Sequence, residues 1–310
     1  MGNYRIDGTR LPAGDSAALL QSVSQMVGGG LSAYLLTPQR AVGKLQKNES
    51  AQAPDGALWV DDDATEWEQA ICYMLPHRLG GLLWRETVPQ MWRDSVEMLF
   101  ENMCVHSTQG CRGACLHTAG RLAMAERAKL ARTALYANTG ATTDGAPSLF
   151  WSQMAAEVRR NKARVERKGK RLCVRINGTT DVNVPVWLTE QFPSVVFTDY
   201  SKRHDLQMGW ARPNLYRVLS ATENTTDAEI HAEIAAGRNV VIPFTVRRGE
   251  DLPQTYVGHR VIDGDKHDLR FRDLQGVVVG LRYKLPRGYK NIDHKGFIRN
   301  PSAEVAVTFA

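Results

Sequence analysis

The sequence predicts an α/β protein built on parallel strands, with a partial or full (β/α) barrel as the first expectation. An open doubly wound sheet is the alternative. Three observations carry this. Short Val-rich runs recur through the second half of the chain: RLCVRIN (171–177), SVVFTDY (194–200), LYRVLSA (215–221), NVVIPFTV (239–246) and GVVVGL (276–281). Helical spacers lie between several of them, which is how buried parallel strands are connected. The residues just after successive runs are polar, as they are where parallel strands end in functional loops.

Taken in order, the first ninety residues pattern weakly. Asp15 caps an expected helix in DSAALLQSVSQMV, and the GGG at 28–30 stops it. LSAYLLTP (31–38) fits a short strand or a helix, and a loop follows to about residue 60. ATEWEQAICYMLPHRLGGLLW (64–84) reads as partly helical and buried, with Cys72 a small core residue. SVEMLF (95–100) is the expected first strand of the main domain. Two helices follow: AGRLAMAERAKLARTALYA (119–137), and SLFWSQMAAEVRRNKARVERKG (148–169) capped by Ser148 and stopped near Gly169. PVWLTEQF (185–192) and TTDAEIHAEIAAG (225–237) are the later spacers, the second opened by a Thr-Thr-Asp cap. The expected organisation is therefore an irregular, partly helical extension over 1–94 packed on a barrel-like domain over 95–310.

Composition excludes some classes. At 310 residues with 43% hydrophobic and 23% charged content, the chain can bury a large core without disulfides. No apolar stretch is long enough to span a membrane. The N-terminal residues lack the basic and apolar regions of a signal peptide, so a reducing, cytoplasmic setting is expected. The net charge of +6 concentrates in RRNKARVERKGKRLCVR (159–175). Such a run attracts nucleic acid or forms the solvated face of a helix.

CVHSTQGCRGAC (104–115) places Cys104, Cys111 and Cys115 on one turn-rich loop. A cytosolic thiol cluster of this kind suits metal binding better than disulfides. Zinc would need a fourth ligand, for which His106 and His117 stand nearby. A [4Fe–4S] cluster on three cysteines would keep one iron open. Gly110 and Gly113 let the loop wrap tightly.

The polar strand ends NGTTD, TDYSK and SATEN (177–181, 198–202, 220–224) bring Asn177, Asp181, Lys202, Ser220 and Glu223 toward one rim. Asp263, Asp265, His267 and Asp268 crowd into VIDGDKHD, where they could hold a hard cation or supply acid–base groups. The same segment also fits a DGD turn in a hairpin, and it lacks the final Glu of an EF-hand loop.

The blocks LLTPQRAVGKLQKN (35–48), CVHSTQGCRGACLHTAGRL (104–122), RINGTTDV (175–182), VVFTDYSK (195–202) and VIDGDKHDLRFRDLQGVVVGLRYK (261–284), with DHKGFIR (293–299), occur in the order of a phage- and plasmid-borne family. The chain resembles that gene product eighty-eight family, whose function is unassigned. It departs from the family pattern at Val105, where relatives carry Pro, and through residues 50–95.

The cysteine loop is also similar to those of phage radical S-adenosylmethionine enzymes related to spore photoproduct lyase. Their spacing is C-x6-C-x2-C, and the last gap here is x3. This resemblance implies a [4Fe–4S] cluster on Cys104, Cys111 and Cys115, with S-adenosylmethionine as cofactor. It places Asn177, Asp181, Ser220 and Glu223 by position at that cofactor, and Lys202, Asp263, Asp265, His267 and Asp268 at the substrate. The expected function is an iron–sulfur enzyme of a phage or plasmid, acting in the host cytoplasm on a nucleotide or nucleic acid. The alternatives are a zinc-stabilised nucleic-acid-binding protein and a divalent-metal hydrolase or nuclease using Asp263, Asp265 and His267.

Overall fold

The computed structural model describes residues 34–41, 48, 66–76, 102–118, 126–139, 148–284 and 294–301. The expected elements at 15–27 and 95–100 lie outside them. The fold is mixed α/β around a ten-stranded, mostly parallel sheet. In chain order the strands are β1 (Leu36–Pro38), β2 (Trp67–Cys72), β3 (Arg171–Arg175), β4 (Val196–Ser201), β5 (Gly209–Arg212), β6 (Leu215–Ser220), β7 (Val240–Phe244), β8 (Thr255–Tyr256), β9 (His259–Asp263) and β10 (Val278–Arg282). The helices are α1 (Gln109–Gly113), α2 (Glu126–Thr139), α3 (Leu149–Glu166), α4 (Val186–Gln191) and α5 (Asp227–Ala235).

Across the sheet the order is β1-β2-β3-β4-β6-β7-β10-β9-β8, with β5 paired on β6. The run from β2 to β10 is parallel and in chain order, and β1 lies antiparallel on β2. Among the described residues the sheet ends at β1 and β8 and does not close. This corrects the full-barrel expectation: an antiparallel strand caps β2 on one side, and the β8–β9 hairpin ends the other.

Alternation along the strands sends side chains to both faces of the sheet, where they enter three clusters, one of them Leu219, Val240, Ile242 and Val278 against Ile230 and Ile234 of α5. Leu172, Val174, Phe197 and Leu215 face α2 and α3. Cys173, Val196, Tyr216, Val218, Val241 and Val279 face the other way, against Leu269 and Phe271. Phe271 stands edge-on to Trp67, with ring centroids 4.8 Å apart. Each such fully buried side chain contributes about 1.5–3 kcal/mol of apolar transfer free energy.

The long helix forms as its sequence indicates. The Ser148 hydroxyl accepts the Trp151 N–H at 3.3 Å, and Gly169 adopts φ +71° just beyond the end. In α5 the Thr226 hydroxyl accepts the Glu229 N–H while Glu229 returns to the Thr226 N–H, a complete capping box.

Two readings change. The 64–84 segment contains a fully buried strand, β2, where a partly helical stretch was expected. Its polar residues disguise it. Glu68 pairs with Arg164 and Lys168, and Gln69 bonds with Gln39, Asn48 and the Asp268 carbonyl. β2 pairs in parallel with β3, so the sheet takes strands from both sides of residue 94.

The basic run at 159–175 is also spent on the protein's own surface. Arg164 and Lys168 hold Glu68, Lys170 holds Glu66, and Lys162 holds Glu166. Arg159, Arg160 and Arg171 lie over the rings of Phe192, Tyr34 and Trp67. Much of the run's charge is thus engaged within the chain, and a nucleic-acid partner is not supported.

Candidate functional site

The C-terminal ends of β3, β4, β6 and β10 meet the cysteine loop around a cavity of about 160 Å³. That is room on the order of ten water molecules. Cys104, Cys111 and Cys115 all line it, together with Arg175, Tyr200 and Lys202.

The loop is built by local hydrogen bonds. The Ser107 N–H turns back to the Cys104 carbonyl at 2.9 Å, and Thr108 caps the short helix α1 by accepting the Cys111 N–H at 3.3 Å. Across the cavity rim, the Glu223 carboxylate accepts the Thr108 hydroxyl and the Gly110 N–H, each at 2.6 Å. Partial burial pushes this carboxyl up. The Thr108, Gly110 and Cys111 donors outweigh that and hold it below the ordinary range. The Asp181 N–H donates to the Met103 carbonyl at 2.8 Å, tying the loop to the end of β3.

Gly110 is required here. A Cβ at that position would stand 2.2 Å from the His294 carbonyl oxygen and 2.9 Å from the Glu223 carboxyl group. Gly178, beside the loop after β3, is similarly confined by Tyr73, Ile71 and the Cys72 carbonyl.

The thiols share an electrostatic environment. Burial pushes Cys115 up, although the His117 N–H, Lys202 and Lys129 work against it. Burial opposes the charge on Lys202, but Cys111, Asp181, Cys104 and Cys115 around it hold the ammonium above its ordinary range. The Cys104 thiol also lies 3.7 Å from the Thr179 carbonyl.

Most of the other residues expected at the site are near it, and several are occupied with structure. Asn177 is buried, and its amide is fully used. Its nitrogen donates to the Val182 carbonyl and to Asp199, and its oxygen accepts from Thr180 and from the Val182 N–H. Asp181 accepts the Ser201 hydroxyl at 2.8 Å and the Lys202 N–H at 3.0 Å, so it orients the end of β4. Glu223 holds the cysteine loop. Ser220 lines the cavity at the end of β6.

The 263–268 cluster is matched by cations. Asp263 takes Arg282 through both oxygens at 2.9 Å, and Asp265 receives Lys284 at 3.4 Å and the Arg282 N–H at 2.9 Å. His267 stands 3.5 Å from Asp273 and bonds Arg270, while Asp268 takes Arg175 at 2.9 Å and the Tyr200 hydroxyl at 3.1 Å. Arginine and lysine hold the carboxylates that a hard cation would need. The DGD turn follows β9, which pairs in parallel with β10, so it is not a hairpin turn; the hairpin turn is at Val257 and Gly258, both with positive φ.

Among the described residues, no group of three or more His, Cys, Asp and Glu is gathered to hold a metal ion. A tetrahedral zinc needs sulfurs about 3.8 Å apart, given Zn–S bonds of about 2.3 Å. His106 is exposed and His117 is buried, with its carbonyl accepting from Lys129. Cys104, Cys111 and Cys115 are three soft donors lining one cavity, a donor type that both zinc and iron–sulfur clusters use.

Arg175, Tyr200, Arg282, Tyr283 and Phe297 escaped the sequence reading. Tyr200 and Arg175 flank residues that were singled out, so their strand-end position was the available signal. Phe297 reaches the cavity from a segment whose backbone joins β7 through the Phe244–Arg299 bridge, which no local pattern encodes.

The fold and cavity define an α/β protein with its site at the C-terminal ends of parallel strands, beneath a three-cysteine loop. The chain belongs to the gene product 88 family, whose model matches residues 68–301. No curated protein and no solved structure matches it. No described helix is long and apolar enough to cross a membrane.

Proposed function

We propose that the protein is an iron–sulfur enzyme of the radical S-adenosylmethionine type, acting on a nucleotide-class substrate. The observation that carries this is the convergence of Cys104, Cys111 and Cys115 on one wall of a cavity at the strand ends. Those three residues would hold a [4Fe–4S] cluster. When bound, it supplies reductive cleavage of S-adenosylmethionine to a radical that removes hydrogen from a substrate.

The chain's own residues do the rest. Glu223 fixes the loop that carries the thiols, Asp181 fixes the backbone at Lys202, and Lys202 places positive charge beside the thiol set. Val241, Pro243 and Leu281 give the cavity an apolar stretch of lining. The cavity's size suits a small molecule, so a nucleic-acid chain is the less favoured substrate. The hydrolase reading loses support from the ion pairs that occupy Asp263, Asp265 and Asp268.

The test is reduction of anaerobically reconstituted protein by dithionite with S-adenosylmethionine present. Release of 5′-deoxyadenosine, abolished by Cys111→Ala, is expected. An iron-loaded protein that leaves S-adenosylmethionine intact would contradict the radical chemistry.

A further inference from the structure

The cavity holds four cationic side chains, and three of them are matched. Arg175 has Asp268 at 2.9 Å, Arg282 has Asp263 at 2.9 Å, and Lys284 has Asp265 at 3.4 Å. Lys202 differs. Among the described residues no carboxylate is hydrogen-bonded to its ammonium, since Asp181 is engaged with the Lys202 backbone N–H and the Ser201 hydroxyl. A second donor belongs to another residue that lines the cavity. The Tyr283 hydroxyl is buried, with no hydrogen-bond partner among the described residues. Buried donors are nearly always satisfied, so the Tyr283 hydroxyl, in a cavity that the Lys202 side chain also lines, calls for an acceptor there. The remaining surface is apolar, from Val241, Pro243, Leu281 and Phe297. A few convergent polar groups on an apolar wall are the usual composition of a small-molecule site.

We propose that Lys202 and Tyr283 form an anion subsite for the substrate. It takes the carboxylate or phosphate of a ligand whose apolar or aromatic body lies on Val241, Pro243, Leu281 and Phe297. The ammonium supplies charge and the phenol a directed hydrogen bond, which together favour an oxyanion over a neutral group of the same shape. This deepens the reading above by assigning the substrate's anionic end to named residues, and it rests on that reading only for what happens to the bound molecule.

The test uses the full chain, both metal-free and reconstituted with iron and sulfide. Calorimetric titration with phenyl phosphate, benzoate and benzyl alcohol separates phosphate, carboxylate and neutral probes of one aromatic body. At least one anion is expected to bind, with benzyl alcohol weaker by roughly ten- to a hundredfold, the worth of one hydrogen bond to a charged group. Lys202→Met and Tyr283→Phe are each expected to weaken the anion by at least tenfold while iron content stays at the wild-type level. Equal binding of the neutral probe, no binding of either anion, or variants that alter iron loading but leave anion affinity intact would each overturn the proposal. The last result would assign the two donors to the thiolates instead. Anion binding by protein that never loads iron would leave the subsite standing and remove the iron–sulfur function.

Discussion

Glu223 lies far in sequence from the loop it holds, yet both of its carboxylate oxygens are committed to Thr108 and Gly110. Hydrogen bonds to a charged acceptor contribute about 1.5–3 kcal/mol, and partial exposure reduces that, so Glu223→Ala should cost about 1–3 kcal/mol by denaturant unfolding. The effect depends on pH with a definite sign. The folded carboxyl titrates below its unfolded value, so the clamp contributes fully above the ordinary range near 4.3 and is lost as pH falls through the folded value. Thermal unfolding from pH 7 to 3 should therefore bring wild type and Glu223→Ala together at the acid end; a constant gap would refute the clamp. Arg175 is a second residue with a clear cost. Arg175→Met leaves the buried Asp268 carboxylate without its guanidinium, and a loss of about 3–5 kcal/mol is expected in urea unfolding. At this scale the sequence showed which polar residues gather at strand ends, but not their partners. Asp181 and Glu223 were visible as acids after strands; that one orients Lys202 and the other caps the cysteine loop depends on tertiary neighbours.

Elements were legible where local chemistry and burial agreed. The helix from Ser148 to the Gly169 stop carries its own cap and terminator, and the Val-rich strands from β3 onward have little polar content to disguise them. β2 was misread because Glu68 and Gln69 interrupt its apolar pattern, and their burial is compensated by Arg164, Lys168 and three amide partners distant in sequence. The β8–β9 hairpin was missed because its turn puts Val257 at φ 44°, a conformation that a β-branched residue rarely adopts. The short helix α1 depends on its contact with the 294–299 segment. Gly110→Ala drives a methyl group into backbone there, so it should destabilise by about 1–3 kcal/mol or more. Gly169→Ala meets nothing within 4 Å and should lose only the roughly 1–2 kcal/mol of a left-handed residue. If melting temperatures ranked the two variants the other way, the packing of α1 against His294 would be wrong.

For the molecule as a whole, the alternation of short apolar runs and helices was enough to indicate a parallel sheet, and the order β2-β3-β4-β6-β7-β10 follows from successive crossovers of one hand. That the sheet stays open was not legible, because the capping strands β1 and β8 have three and two residues and leave almost no pattern. The chemistry at the strand ends was legible only as residue types: three thiols, a lysine and scattered carboxylates. The structure sorts these into a cavity lined by three cysteines, a set of matched ion pairs, and the Lys202 ammonium and Tyr283 hydroxyl, which have no carboxylate partner among the described residues. The most direct measurement is metal and sulfide analysis of anaerobically reconstituted protein, with its visible spectrum, beside Cys104→Ala, Cys111→Ala and Cys115→Ala. A brown protein with about four irons per chain, lost in each variant, is the predicted result. Colourless protein in which iron does not load, or loading that survives all three substitutions, would contradict it.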